Sequence, residues 1–325
     1  MDNNSEIGAG KGQPENWERK LIEEIALSSI KEKRKARRWG IFFKFLFFVY
    51  LLAILGLLMP DGLQDTKIAD GKHTAIVDID GVISSDTKAS ADNIIKGIRS
   101  AFKHKNTKGL ILRINSPGGS PVQAGYINDE VVRLKKKHPK IKVYAVVTDI
   151  CASGGYYIAA AADQIYVDKA SIVGSIGVLM NGFGYVDTME KLGMERRLLT
   201  AGEHKALMDP FSPQKEFDRS HMQGMLDQIH KQFIDTVKSG RGERLKQDDK
   251  IFSGLFWTGE QSISLGLADG LGSSSYVARE IIGAEKMMDF TSKEDMLELF
   301  AKKMGAGAAS ALSSVVGIGK WINLR

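Results

Sequence analysis

The chain carries a single cysteine, Cys151, in 325 residues, which excludes an intrachain disulfide and any multi-cysteine metal site built from one copy. The lack of disulfides means only that cross-links are not used, whatever the compartment. Internal repeats of solenoid type are absent. The net charge is only +6, and part of it sits in one block, Lys31-Glu32-Lys33-Arg34-Lys35-Ala36-Arg37-Arg38, beside an apolar segment. That placement points to membrane topology rather than to nucleic acid. No small-x-small site precedes Pro60, which argues against cleavage of the apolar segment as a secretory signal.

What is present begins with a polar stretch over 1–16, expected to be a disordered tip. From Trp17 the spacing Trp17, Leu21, Ile22, Ile25 gives one apolar helical face, suited to a membrane surface or a partner helix. Residues 41–59 are apolar except for Lys44, close to the length that a bilayer core demands, and Lys44 lies near the basic end, where it can snorkel. This predicts a cytoplasmic tail over 1–38, a transmembrane helix over 39–59, a linker over 60–73, and the rest of the chain across the membrane. For a bacterial host that is a single-pass protein of the cytoplasmic (inner) membrane with its bulk in the periplasm or outside the cell.

From residue 74 the pattern alternates. Strands are expected over 74–83, 109–114, 142–147 and 164–167, and helices over 91–102, 122–136 and 154–162. Such alternation predicts an α/β domain, over 74–285, with a largely parallel, helix-covered sheet, its functional residues gathered beyond the carboxyl ends of the strands. An apolar run over 173–180, a short helix over 185–192, a strand over 194–199, a long helix over 217–238 and a helical segment over 276–282 follow. Residues 286–325 form a C-terminal tail whose Ala- and Gly-rich part, over 301–325, is expected to be mobile or partner-dependent.

Two strand ends carry chemistry. At Ala152-Ser153-Gly154-Gly155 an apolar run gives way to a helix-prone one, and a serine there projects into a cleft beside main-chain N–H groups at a helix N-terminus. Taken alone, the stretch also fits an ordinary helix cap at Ser153 with a tight glycine turn. Asn115-Ser116-Pro117-Gly118-Gly119 follows another strand of the same sheet, and by itself reads as a type II turn. Together the two turns face one cleft, and two converging N–H groups make an oxyanion hole. Cys151, two residues before Ser153, reads as an inert thiol at a buried strand end.

A serine nucleophile needs a base. Of the six histidines, His73 precedes a strand, His104 and His138 fall in charge-rich stretches expected to be exposed, and His221 and His230 lie on the long helix. His204 occupies a candidate site turn, but so does Lys205, whose amine in a desolvated pocket can take a proton from serine. Residue chemistry leaves the two open.

Leu112-Arg113-Ile114-Asn115-Ser116-Pro117-Gly118-Gly119, Ala152-Ser153-Gly154-Gly155-Tyr156-Tyr157, Val173-Gly174-Ser175-Ile176-Gly177-Val178 and Gly202-Glu203-His204-Lys205, running to Pro210-Phe211, together resemble the signal peptide peptidase A (protease IV) family in its short, single-domain bacterial form. The resemblance implies a ClpP/crotonase-like fold, a Ser/Lys dyad with Ser153 as nucleophile and Lys205 as general base, Ser175 orienting the lysine amine, and the N–H groups of Gly119 and Gly154 as the oxyanion hole. Gly118 and Gly155 give room, and His204 becomes a neighbour. The family's lysine motif often has Tyr or Ala where Glu203 and His204 stand. Asp149 reads as a turn residue, since a dyad needs no third member.

The resemblance further implies released signal peptides and other short apolar peptides as substrates, no metal or organic cofactor, no nucleic acid, contact with membrane lipid, and a ring-like homo-oligomer. Met180, Phe183 and Tyr185, with Val122 and Tyr126, are candidates to line apolar substrate pockets or simply to pack the core. The basic run Lys135-Lys136-Lys137-His138-Pro139-Lys140 reads as a solvated helix end. Two other classes compete with the peptidase: a catalytically silent, membrane-tethered scaffold binding peptides or partner proteins, and a crotonase-type acyl-CoA enzyme. The latter fits poorly with a domain expected across the membrane from coenzyme A.

Overall fold

The computed structural model describes residues 15–58 and 71–292, and the chain divides into two units, Met1–Ile68 and Ala69–Arg325. The expected N-terminal tip, most of the linker, and the tail beyond residue 292 lie outside the described residues.

In the first unit a single helix, α1 (Glu15–Leu58), runs unbroken for 44 residues through the amphipathic stretch, the basic block and most of the apolar run. Phe42, Phe43, Phe45, Leu46, Phe47 and Phe48 are all exposed along it. Among the described residues no helix is long and apolar enough to cross a membrane. The apolar run continues beyond Leu52, but the side chains at 53–58 and residue 59 lie outside the described set.

The second unit is built on an eight-stranded sheet. Its strands are β1 (His73–Asp80), β2 (Thr107–Ser116), β3 (Lys142–Ala152), β4 (Gln164–Val167), β5 (Ile172–Gly174), β6 (Phe256–Thr258), β7 (Gly270–Leu271) and β8 (Met287–Asp289). The main path runs β6-β5-β3-β2-β1-β8, with β4 bridging β3 and β7. Every pairing is parallel except β5 with β6. The central strands are covered on both faces, so they read as continuous apolar runs: Leu110, Ile111, Leu112 and Ile114 are fully buried on β2.

The α-helices of this unit are α2 (Ala91–Lys103), α3 (Pro121–Lys137), α4 (Gly154–Ala159), α5 (Val186–Lys191), α6 (Glu216–Arg241), α7 (Gly259–Ser264) and α8 (Ser274–Tyr276), the last continued by a π-helix over Val277–Ile282. α3 begins directly after the first glycine turn: Ser120 accepts the N–H of Gln123 at 3.4 Å and proline occupies the first helical position. Its basic end complements the exposed helix carbonyls. There Lys135 is not merely solvated, since its Nζ meets the Ala161 carbonyl at 2.8 Å and Asp163 at 3.1 Å.

α6 docks over α4. Phe233 packs on Tyr157 with ring centroids 5.1 Å apart, and Thr236 Oγ1 donates to the Tyr157 hydroxyl at 2.9 Å. At its end the buried Arg241 guanidinium grips Asp269 at 2.8 and 2.9 Å, fixing α6 to the start of β7.

Four expectations change. The domain does not end at residue 285: the start of the expected tail, 287–289, forms β8 and pairs with β1, which holds it in the sheet. β3 does not stop at Val147 but continues to Ala152, because a register shift after Ile114 re-phases it so that 150–152 pair with β5. Asp149 therefore lies in a strand and is not a turn residue. The strand expected over 194–199 does not form: among the described residues no neighbouring strand satisfies its backbone, and Leu199 stands 98% exposed. The histidines expected to be exposed, His104 and His138, are half-buried, with rings against Phe290 and Phe102.

Candidate active site

Ser153 is the residue between the last strand position of β3 and the first turn of α4. Its backbone sits at φ 50° and ψ −121°, and its side chain makes no capping hydrogen bond. A helix cap has extended backbone and an accepting hydroxyl, so the cap reading of Ser153 fails on both counts. A serine held at positive φ between a strand and a helix is instead a strained elbow that pushes its Oγ outward. The surrounding sheet fixes it there: the Ser153 N–H donates to the Gly174 carbonyl at 2.9 Å, and its own carbonyl accepts from Tyr157 at 2.9 Å.

The first glycine turn closes against this elbow. Gly118 has φ 101° and Gly119 φ 147°. A Cβ on Gly118 would lie 2.7 Å from both the Gly154 nitrogen and the Ser153 Cβ. A Cβ on Gly119 would run into the Ile83 carbonyl oxygen. Only glycine fits either place. A short parallel bridge holds the turn, with Ile83 N–H on the Gly118 carbonyl at 2.9 Å and Ser120 N–H on the Ile83 carbonyl at 2.8 Å. In such a parallel bridge the Gly119 N–H faces away from Ile83. Among the described residues neither Gly119 N–H nor Gly154 N–H has an acceptor, as expected of donors left free for a ligand.

Ser175, at φ 52°, follows β5, and its N–H is held by the Leu255 carbonyl at 2.8 Å. Ser153, Ser175, Gly119 and Gly154 all line one cavity of about 930 Å³. Val122 and Tyr126 of α3 line it too, whereas Met180, Phe183 and Tyr185 line a separate cavity of about 720 Å³. The five aromatic and aliphatic candidates thus divide between two places.

Lys205 is elsewhere. It is exposed in the turn after Gly202, where its N–H reaches the Gly202 carbonyl at 3.1 Å, and it does not line the Ser153 cavity. Among the described residues no hydrogen bond joins it to Ser153 or Ser175. His204 stacks on Phe217 with centroids 4.3 Å apart and is also outside that cavity. Cys151 is fully buried, and burial pushes its thiol far above the ordinary range, leaving it inert. Among the described residues no group of three or more His, Cys, Asp and Glu is placed to hold a metal.

Two polar cavity residues, one set aside and one unmentioned, have no site role in the reading of the sequence. His230 of α6 lines the cavity, and its Nε2–H donates to the Ile176 carbonyl at 3.1 Å, next to Ser175. Its signal was its spacing, three and seven residues before the buried Phe233 and Val237, which puts it on the inward face. Asp129 of α3 also lines the cavity, eight residues along from Pro121 on the same helical face.

Comparison with known proteins bears on this site. The family model described as "Peptidase family S49" matches residues 135–287. A Brucella abortus protein named "Na(+)/H(+) antiporter NhaA" is 45% identical over 186 residues, 57% of this chain and 25% of that protein. The chain thus spans only a quarter of that relative, to which the antiporter name belongs. "Putative protease slr0021" of Synechocystis is 31% identical over 207 residues, 64% of this chain and 72% of that protein. "Protease 4" of Haemophilus influenzae is 30% identical over 219 residues, 66% of this chain and 35% of that protein.

Proposed function

This chain belongs to peptidase family S49, and from that premise we propose that it is a membrane-anchored serine endopeptidase with a Ser/Lys dyad. Ser153 Oγ attacks the scissile carbonyl, the Lys205 amine takes its proton and later activates the hydrolytic water, and Ser175 orients that amine. The N–H groups of Gly119 and Gly154 receive the oxyanion. The observation that carries the reading is the pair of N–H groups without acceptors beside a serine at positive φ, all in one cavity.

In this reading Lys205 reaches the serine when copies of the chain assemble. Lys205 lies on a segment over 178–215 where Leu179, Phe183, Leu192 and Leu199 are 79, 80, 69 and 98% exposed. Apolar side chains so presented suit a neighbouring copy. The apolar run over 41–59, following the basic block, is the anchor, with the catalytic unit on the far side of the cytoplasmic membrane. Substrates are short apolar peptides, among them the signal-peptide remnants that such an anchor keeps within reach.

A silent peptide-binding scaffold on the same fold is the second reading, and the distance of Lys205 from the cavity is what favours it. Hydrolysis of apolar peptides by the purified full chain separates the two. The peptidase requires that Ser153→Ala and Lys205→Ala each abolish cleavage with assembly intact, while His204→Ala keeps most of it. An assembled wild type that cleaves nothing leaves the scaffold.

A further inference from the structure

Resting on the reading of the Ser153 cavity as the peptide site, we propose that Asp129 selects peptides bearing a lysine or arginine at a set distance from the scissile bond. Among the described residues that line that cavity, Asp129 is the only Asp, Glu, Lys or Arg. The rest of the wall near it, Val122, Gly125, Tyr126, Tyr157 and Phe233, is apolar or uncharged.

The next residue on α3 makes the contrast plain. Glu130 is buried and tied to Arg99 at 2.7 Å and to Arg133 at 2.6 Å, and the Arg133 hydrogen bond, with that of Arg99, holds its carboxyl at about 2 despite its burial. Asp129 is exposed to the cavity, and among the described residues it makes no ion pair or side-chain hydrogen bond. Among the described residues, then, one carboxylate of the helix is matched by cations, and the other faces the cavity without one.

Position sets the register. α3 starts beside Gly119, and Pro121, Gly125 and Asp129 follow one another on one face, so Asp129 stands about 12 Å along the helix from its start. An extended peptide spans that in roughly three or four residues. A basic side chain there, on one side of the cleaved bond, meets the carboxylate while apolar residues fill the wall between. The contact is a solvent-accessible ion pair, so the expected selectivity is modest, about fivefold, and weakens with salt.

The test uses the full chain and a quenched fluorescent peptide of alanine and leucine through which one lysine is walked, with norleucine as the neutral isostere. The expected result is a lysine-to-norleucine ratio of kcat/KM near five at one position roughly three or four residues from the cut. Asp129→Asn brings the ratio to about one, and Asp129→Lys turns the preference toward glutamate. A flat lysine profile in the wild type, or an unchanged one in Asp129→Asn, overturns the proposal. The same peptides are bound to Ser153→Ala and to Ser153→Ala/Asp129→Asn by fluorescence polarisation. If the wild type cleaves no peptide, yet the lysine preference in affinity is present in the first protein and gone in the second, the peptidase reading fails and the role of Asp129 stands. Equal affinity for both peptides in Ser153→Ala overturns it.

Discussion

The main-chain N–H of Ser153 donates to the carbonyl oxygen of Gly174 at 2.9 Å. That bond continues the pairing of β3 with β5 one residue past the end of the strand. It joins the two serines that have positive φ within the cavity, Ser153 at 50° and Ser175 at 52°, through Gly174, the last residue of β5 and the one that directly precedes Ser175. The strain in each turn is held by the other and by the sheet behind both.

Gly174 is therefore the weak point of the pair. It has φ 114°, and a Cβ there would lie 2.9 Å from both the Leu255 carbonyl oxygen and Trp257 Cδ1. Gly174→Ala is expected to cost about 1–3 kcal/mol of stability and to slow fluorophosphonate labelling of Ser153 at least tenfold. Denaturant melts and labelling time courses measure the two together.

Gly118→Ala tests the oxyanion site directly. The added methyl comes within 2.7 Å of the Gly154 nitrogen, the place where the oxyanion would sit against its donor. Cleavage is expected to fall by roughly 10²–10³-fold, the usual effect of losing one such donor. Peptide affinity, measured on the Ser153→Ala background, is expected to change far less.

Sharing of the site between copies predicts complementation. Ser153→Ala and Lys205→Ala copies, each inactive alone, are expected to regain activity when assembled together, because mixed neighbours contain intact pairs. Lack of recovery in demonstrably mixed assemblies overturns the shared site.

His230 anchors the chain next to Ser175 through its 3.1 Å bond to the Ile176 carbonyl. It is a positioning residue: His230→Phe is expected to lower kcat/KM by up to about tenfold, the worth of one hydrogen bond. His230→Gln retains an N–H donor and is expected to recover most of the loss. If both variants behave alike, the role is packing alone.

Acid is expected to loosen the start of β1. His73 is fully buried, and burial above all, with the nearby His104 and Lys286, holds its imidazole below the ordinary 6.5 against the opposing pull of the Gly71 carbonyl. The unfolded chain thus takes up a proton that the folded one refuses. This contribution to stability is complete above pH 6.5 and is lost as pH falls through the lower folded value. Melting temperatures of wild type between pH 7.5 and pH 5 are expected to fall more steeply than those of His73→Gln.

Much of this protein was written locally. The alternation of apolar runs and helical segments from residue 74 dictated a parallel, helix-covered sheet, because only strands buried on both faces are apolar at successive positions. The glycines at 118, 119 and 154 marked two turns at strand ends, since close backbone approach and positive φ leave few other choices. Tertiary structure decided the remainder. β3 ran on to Ala152 only because a neighbour, β5, was there to pair with it, and the stretch over 194–199 remained unpaired for want of one. His230 entered the cavity because α6 docks on Tyr157, a contact between residues far apart in the chain. Lys205 is separated from Ser153 within one copy for the same reason: backbone pairing and helix docking bring distant residues together, and neither is encoded in the spacing of a motif.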